Sequence, residues 1–281
     1  MAANDWQELA RGVYALATGV STGLIVSDGQ AVVVDSLWSP SDAREILAYL
    51  EMSHPEAQVK WVVNTHSHWD HTFGNQAFAA PVVAQRRVYE AMVTNLSGPW
   101  SPAGLDRMRQ EMANAHNLEG VQVVLPSVLF YDQLDLVVGR RTVHLAHFGG
   151  HTPGSSIVFL QEEGIIFAGD DLVVGRYPFM HQASVEEWLG ALRELQAMKP
   201  KIVVPGHGPI VTGSDISREI AKFRQYFEQT MEGVERLMAE GRTKEEAMGS
   251  PSFPKYWEQG YERLHQANIG RVWDELAAKK R

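Results

Sequence analysis

Four side chains of the kinds that bind metals crowd into six residues, His66-Ser-His68-Trp-Asp70-His71, directly after the apolar run Lys60-Trp-Val-Val-Asn-Thr65. On an extended backbone, residues two apart point to the same side, so His66 and His68 face one space. Asp70 and His71 must then come from a loop that curls round that space. Helical zinc sites use His at i and i+4, so the two-residue step predicts a strand handing its ligands to a loop. Left as solvated turn residues, three imidazoles this close would repel one another when protonated and leave a high-affinity site unused.

Composition narrows the class. At 281 residues, 44% hydrophobic and 21% charged, the chain has length for a sizeable core and the balance of a globular enzyme. Its formal charge is −9 and its basic residues are scattered, so no nucleic-acid partner is expected and a phosphodiester on RNA or DNA is disfavoured as substrate. There is no cysteine, so any metal must be held by nitrogen and oxygen. The first residues form neither a basic nor an apolar leader, and no stretch approaches about eighteen uninterrupted apolar residues. The expectation is a cytoplasmic protein with no membrane partner.

From Gly12 to Ser36, short β-branched runs alternate with Gly and Asp-Gly turns, which predicts a meander. Ser39-Pro-Ser-Asp42 supplies an N-cap, a first-position proline and a first-turn acid for a helix running to about Met52. Residues 60–65 and 81–84 are predicted strands, and 86–120 a helical, irregular insertion. Strands return over 121–169, where Gly164-Ile-Ile-Phe-Ala-Gly169 is apolar enough to be buried on both faces. Ser184-Val-Glu-Glu187 opens a helix to about Lys199, and Lys201-Ile-Val-Val-Pro205 is a strand. Then Ile216, Ile220, Phe223, Phe227, Met231, Val234 and Met238 recur at helical spacing, Thr243-Lys-Glu-Glu246 caps a short helix, and Trp257, Tyr261, Leu264, Ile269, Val272 and Leu276 outline a last one. The expected organisation is a catalytic domain over 1–212, with the 86–120 insertion beside its site, and a C-terminal helical segment over 213–281 packed on the same domain.

His-x-His-x-Asp-His resembles the signature of the metallo-β-lactamase superfamily, and matching pieces follow in that family's order from about residue 12 to residue 212. Asp35, ending Ala31-Val-Val-Val-Asp35, matches the first-motif acid; His151 in Gly149-Gly-His-Thr-Pro-Gly-Ser155 matches the third-motif histidine. Asp170 in Phe167-Ala-Gly-Asp170 matches the bridging acid, and His207 in Val204-Pro-Gly-His-Gly-Pro209 the last ligand. The resemblance implies an α/β fold, the four-layer αββα sandwich, here with additional C-terminal helices. It also implies His66, His68 and His151 for one metal and Asp70, His71 and His207 for a second, with Asp170 bridging. Two Zn2+ are the expected cofactors, with Mn2+ or Fe2+ suited to so oxygen-rich a site. Three-ligand sites leave a position for water, which marks catalytic zinc, so the expected nucleophile is a hydroxide bridging the ions and Asp70 is placed in the catalytic machinery.

Departures from relatives within that family sharpen the expectation. Without cysteine, the subclasses whose second zinc takes a thiolate are excluded. His68 stands where the family's diiron reductases carry Glu, which favours hydrolysis. Val173 stands where its quorum-signal lactonases carry Tyr, which argues against close likeness to them. Asp171 adjoins Asp170, and an extended strand aims only one of them at the site. Asp170 is preferred as ligand, with Asp171 and Asp35 as supporting acids.

His54, His116, His144, His147, His181 and His265 lie outside the motifs and are expected to be surface or locally satisfied residues. His181, with Tyr177, falls in the segment following Asp170 and is a candidate to touch substrate. Trp38 and Trp69 add apolar surface at the rim, and Trp100 belongs to Leu96-Ser-Gly-Pro-Trp100, a stretch suited to a pocket wall. A small-molecule acyl substrate, bulky and at most weakly charged, is expected. The predicted function is a binuclear metal-dependent hydrolase of a carboxylic ester, lactone or amide, possible β-lactams included. The alternatives are a thioester hydrolase resembling hydroxyacylglutathione hydrolase, and a non-enzymatic metal-binding relay or interaction protein docking through its C-terminal helices.

Overall fold

The computed structural model describes residues 5–112, 117–258 and 262–279; His116 and Tyr261 lie outside the described residues. Two mixed sheets face each other. The first runs in the order β1 (Trp6–Ala10), β2 (Val13–Ala17), β3 (Ser21–Ser27), β4 (Gln30–Val34), β5 (Gln58–Asn64), β6 (Val82–Gln85), β7 (Val128–Phe130). Its first four strands form the antiparallel meander, and β4 to β7 pair in parallel. The second runs β13 (Val211–Thr212), β12 (Ile202–His207), β11 (Ile165–Val173), β10 (Ser156–Leu160), β9 (Arg141–His147), β8 (Gln133–Val138), and only β11 and β12 pair in parallel.

The two-residue period of a strand builds the layers. Val32 and Val34 of β4 meet Ile165 and Phe167 of β11 between the sheets. Their neighbours Ala31 and Val33 face the other way, onto Ile46 and Leu50 of α1 (Pro40–Ser53), while Ile166 and Ala168 face Trp188 and Leu192 of α5 (Val185–Ala197). Helix, sheet, sheet and helix thus stack as the αββα sandwich. Strand β11 is buried at every position, so residues 165–168 are apolar without alternation, and the strand's two acids, Asp170 and Asp171, are buried as well.

Behind the metal loop, the single turn α2 (Trp69–Thr72) is followed by α3 (Arg86–Leu96) and α4 (Pro102–Met112), which pack Met92 and Trp100 around Phe73. The C-terminal helices are α6 (Ser214–Ala239), α7 (Lys244–Met248) and α8 (Glu262–Lys279). Phe223 and Phe227 of α6 and Ile269 and Val272 of α8 join the cluster built on α5. Thr243 and Glu246 form the reciprocal capping box that their spacing predicts.

Two local expectations need correction. Strand β1 was not predicted, because an edge strand with exposed Gln7 and Glu8 carries little apolar signal. Trp257 does not ride on the last helix, which begins at Glu262; it is buried ahead of it, with ring centroids 4.9 Å from Tyr177 and 5.3 Å from Tyr226.

Trp188 ties α5 to the second sheet: it is fully buried, and its indole N–H donates to the Asp171 carbonyl at 2.9 Å. Trp188→Ala should cost about 3–5 kcal/mol by the lost burial and the cavity left behind. Urea unfolding of the metal-free protein measures this without the added stabilisation of bound ions. A loss well below about 1 kcal/mol would show that this packing is not limiting.

Candidate metal centre

The backbone that delivers the ligands is held by buried polar groups. Residues leaving β4 and β5 meet at Asp35, which takes a left-handed φ of 59°, a conformation that Asp tolerates better than most residues. Its Oδ1 accepts from the Thr65 backbone N–H at 2.8 Å, and its Oδ2 accepts from Thr65 Oγ1 at 2.7 Å and His71 Nδ1 at 2.9 Å. Since the Thr65 hydroxyl proton goes to Asp35, its oxygen accepts from His66 Nδ1 at 3.1 Å. One carboxylate therefore sets the tautomer of His71 directly and of His66 through Thr65, and turns both Nε2 lone pairs into the site. The His71 carbonyl accepts from Ser36 N–H at 2.9 Å and Asn64 Nδ2 at 3.1 Å, which pins the loop.

The remaining ligands have their own supports. His207 ends β12 and donates from Nδ1 to the Gly19 carbonyl at 2.9 Å, leaving Nε2 toward the site. His68 is reversed: Nε2 donates to Gln182 Oε1 at 3.2 Å, and Nδ1 faces inward, 2.9 Å from His151 Nε2. His151 lies in the loop between β9 and β10, its ring 5.1 Å from Trp188. Asp170 sits within β11 rather than just beyond its end, where pairing with β12 is irregular. Next to it, Asp171 points away and accepts from the His151 backbone N–H at 3.3 Å, so it supports the ligand's main chain rather than its ring. A Cβ at Gly206 would lie 2.0 Å from Asp170 Oδ1, so only glycine fits there.

The inward atoms form two groups: His66, His68, His151 and Asp170, and Asp70, His71 and His207, with the ligand atoms within 4.8 Å of one another. Asp170 joins them. Its Oδ2 lies 3.5 Å from Nε2 of both His151 and His207, and its Oδ1 3.3 Å from His71 Nε2. Asp70 Oδ2 lies 3.2 Å from His207 Nε2. Nε2 of His66, Nε2 of His71 and Oδ1 of Asp170 are buried without a hydrogen-bond partner. Inward ligand atoms this close, with the rings of His66, His68, His71 and His207 each fixed from behind, are what divalent ions require, so the residues fit a binuclear metal site.

Burial pushes the imidazoles of His66, His68 and His151 down, His151 to about 3, so this group is neutral near pH 7. Burial acts the same way on His71 and His207 but is outweighed: Asp35 leads the groups that raise His71, and Asp170 those that raise His207, to about 9. For Asp70, burial works upward, yet His71 and His207 hold it at about 2. Without metal, then, protons sit in the second group.

A cavity of about 280 Å3 opens onto His68, Asp70, Asp170 and His207, and is otherwise lined by Trp69, Val173, Arg176, Tyr177, Phe179 and Leu264. Of the expected substrate contacts, Trp69 and Tyr177 therefore reach it. Trp100 does not: it is buried edge-on against Phe73, ring centroids 5.1 Å apart, because the loop behind the metal site needs a core of its own. Trp38 packs with the cluster under α1, and His181 lies alongside Phe179. Val173, Arg176, Phe179 and Leu264 were missed, as was Gln182. Arg176 and Phe179 stood in the same segment as Tyr177, whereas no sequence signal brings Leu264 here. Of the other described histidines, His54 is bonded to Tyr14, His144 to Asp135 and His147 to the Pro153 carbonyl, while His265 bonds Tyr226 through Nδ1 and leaves its buried Nε2 without a partner. Among the described residues, no helix is long and apolar enough to cross a membrane.

Two measurements test this centre. An ion entering the second group must displace protons from His71 and His207, so its affinity should climb with pH up to about 9 and fall in acid, while the first ion's affinity stays nearly flat from about pH 6 to 9. Calorimetric titration of Zn2+ in two buffers of different protonation enthalpy counts the protons at each step. Equal release at both steps would contradict the assignment. Asp35→Asn should weaken metal binding by about 10–100-fold, read by chelator competition, because it removes an acceptor that orients two ligand rings.

A family model described as the Metallo-beta-lactamase superfamily matches residues 16–207. The chain is 23% identical over 258 residues to a linear primary-alkylsulfatase of a Pseudomonas species, covering 80% of this chain and 48% of the relative, so it spans about half of that protein's length. It is 23% identical over 248 residues to an atrochrysone carboxyl ACP thioesterase of Aspergillus fumigatus, covering 88% of this chain and 69% of the relative. The solved structure of a metallo-beta-lactamase family protein from Thermus thermophilus superposes with a TM-score of 0.70 at 19% identity, over 97% of this chain and 95% of that one. With its His/Asp cluster in place, this chain belongs to the metallo-beta-lactamase superfamily.

Proposed function

We propose that the protein hydrolyses a carboxylic ester whose acyl part is apolar. The observation that carries this reading is the joining of the seven-residue ligand cluster to a small cavity walled by Trp69, Val173, Tyr177, Phe179 and Leu264, with Arg176 also lining it. His66, His68, His151, Asp70, His71, His207 and Asp170 would hold two divalent ions, which would supply Lewis acidity and activate water for attack. The chain's own residues do the rest. Asp70 and Asp170 stay ionised in a buried site, ready to receive cations. His68 and Gln182 fix one side of the cluster, and the apolar wall displaces water from beside the scissile bond.

A thioester is the second reading, favoured by the similarity to the carboxyl ACP thioesterase over 88% of this chain. The formal charge of −9 speaks against nucleic-acid phosphodiesters. A relay or docking protein would need no cavity open to the ligands.

Metal-replete protein should cleave p-nitrophenyl alkanoates, lose that activity on chelation and regain it when metal is restored. The rate kcat/KM should rise through neutral pH, as ligands deprotonate and bound water ionises. The panel should include thioesters, lactones, β-lactams, phosphodiesters and alkyl sulfates. Sulfate release with no acyl turnover would replace the ester reading, and an activity indifferent to metal removal would end it.

A further inference from the structure

We infer that Leu264, on the C-terminal helix α8, sets which acyl chain the site accepts; this rests on the acyl-hydrolase reading above. Leu264 lies ninety-four residues beyond Asp170 in sequence, yet both line the same cavity. Phe179 lines the same cavity, a large apolar ring left 45% exposed and set edge-on to the His68 imidazole, with centroids 5.6 Å apart. A phenyl ring held in water over a metal-binding histidine calls for an apolar partner, and a bound acyl chain between Phe179 and Leu264 supplies one.

The helix that presents Leu264 is fixed against the segment that presents Phe179. One turn further along α8, Asn268 is buried, and its Nδ2 donates to the Pro178 carbonyl at 2.7 Å and to Tyr226 Oη at 3.0 Å. Arg271 donates to the Ala183 carbonyl, and Glu275 Oε2 accepts from the Val185 N–H at 3.0 Å. These bonds run along one face of α8 and satisfy main-chain groups on either side of the segment that carries Gln182, the support of His68. The helix that carries Leu264 is therefore held by hydrogen bonds against the segment that carries Phe179, as a specificity wall requires.

The test uses the metal-loaded full chain and p-nitrophenyl esters of straight-chain acids from acetate to decanoate. Leu264→Trp, which fills the cavity, should lower the decanoate-to-acetate ratio of kcat/KM by about tenfold or more, because methylenes excluded from an apolar pocket are each worth a sizeable factor. Leu264→Ala should move the ratio the other way. Decanoate binding, followed by calorimetry, gives a readout independent of turnover, and Leu264→Trp should weaken it relative to acetate. Ester turnover with the ratio and decanoate affinity unchanged in both variants overturns the inference and leaves the hydrolase reading standing. No ester turnover, with decanoate binding that Leu264→Trp still weakens, does the reverse. Absence of both turnover and decanoate binding overturns both.

Discussion

The carboxylate of Asp35 is the point on which the metal centre depends. It is buried where β4 and β5 end, and its hydrogen bonds to Thr65 and His71 join the two strand exits to the metal loop. A buried charge without partners costs several kcal/mol, so the folded chain has to bring donors to it. The donors it collects are those that fix the His66 and His71 rings. Removing the acid from this network would strand the threonine and histidine donors in a dry interior, so the scaffold and the ligand geometry stand or fall together.

The distribution of charge follows from the same scaffold. His66, His68 and His151 are made neutral by burial, whereas His71 and His207 face carboxylates that outweigh it. In the metal-free chain, those protonated rings offset Asp70 and Asp170, which would otherwise repel each other across a few ångströms. The protons stand in for cations.

Much of this was legible in the chain. The i, i+2 histidines after an apolar run pointed to the strand-to-loop geometry, and the Ser39-Pro-Ser-Asp42 and Thr243–Glu246 caps located helix starts within a residue. An extended β11 separates Asp170 from Asp171 as the alternation of a strand demands. What escaped was tertiary. Which nitrogen of His68 faces inward depends on Gln182, more than a hundred residues away, and no local pattern records that bond. Trp100 was placed at the pocket because it is large and follows Gly-Pro, but size fits a core as well as a wall, and Phe73 gives it a core. Strand β1 was missed because half-exposed strands look like loops.

Ligands and substrate wall overlap only in part. All seven candidate ligands lie on the two sheets or on the loops and turn that join their strands. Trp69 and Val173 reach the cavity from the ligand-bearing elements, while Arg176, Tyr177 and Phe179 come from the segment after β11 and Leu264 from α8, which contributes no ligand. A substitution at Leu264 changes the shape offered to substrate without removing a hydrogen bond that orients an imidazole. Such a site can change what it cleaves while keeping its metals, and it accords with a fold shared by relatives named for sulfate esters and for acyl thioesters.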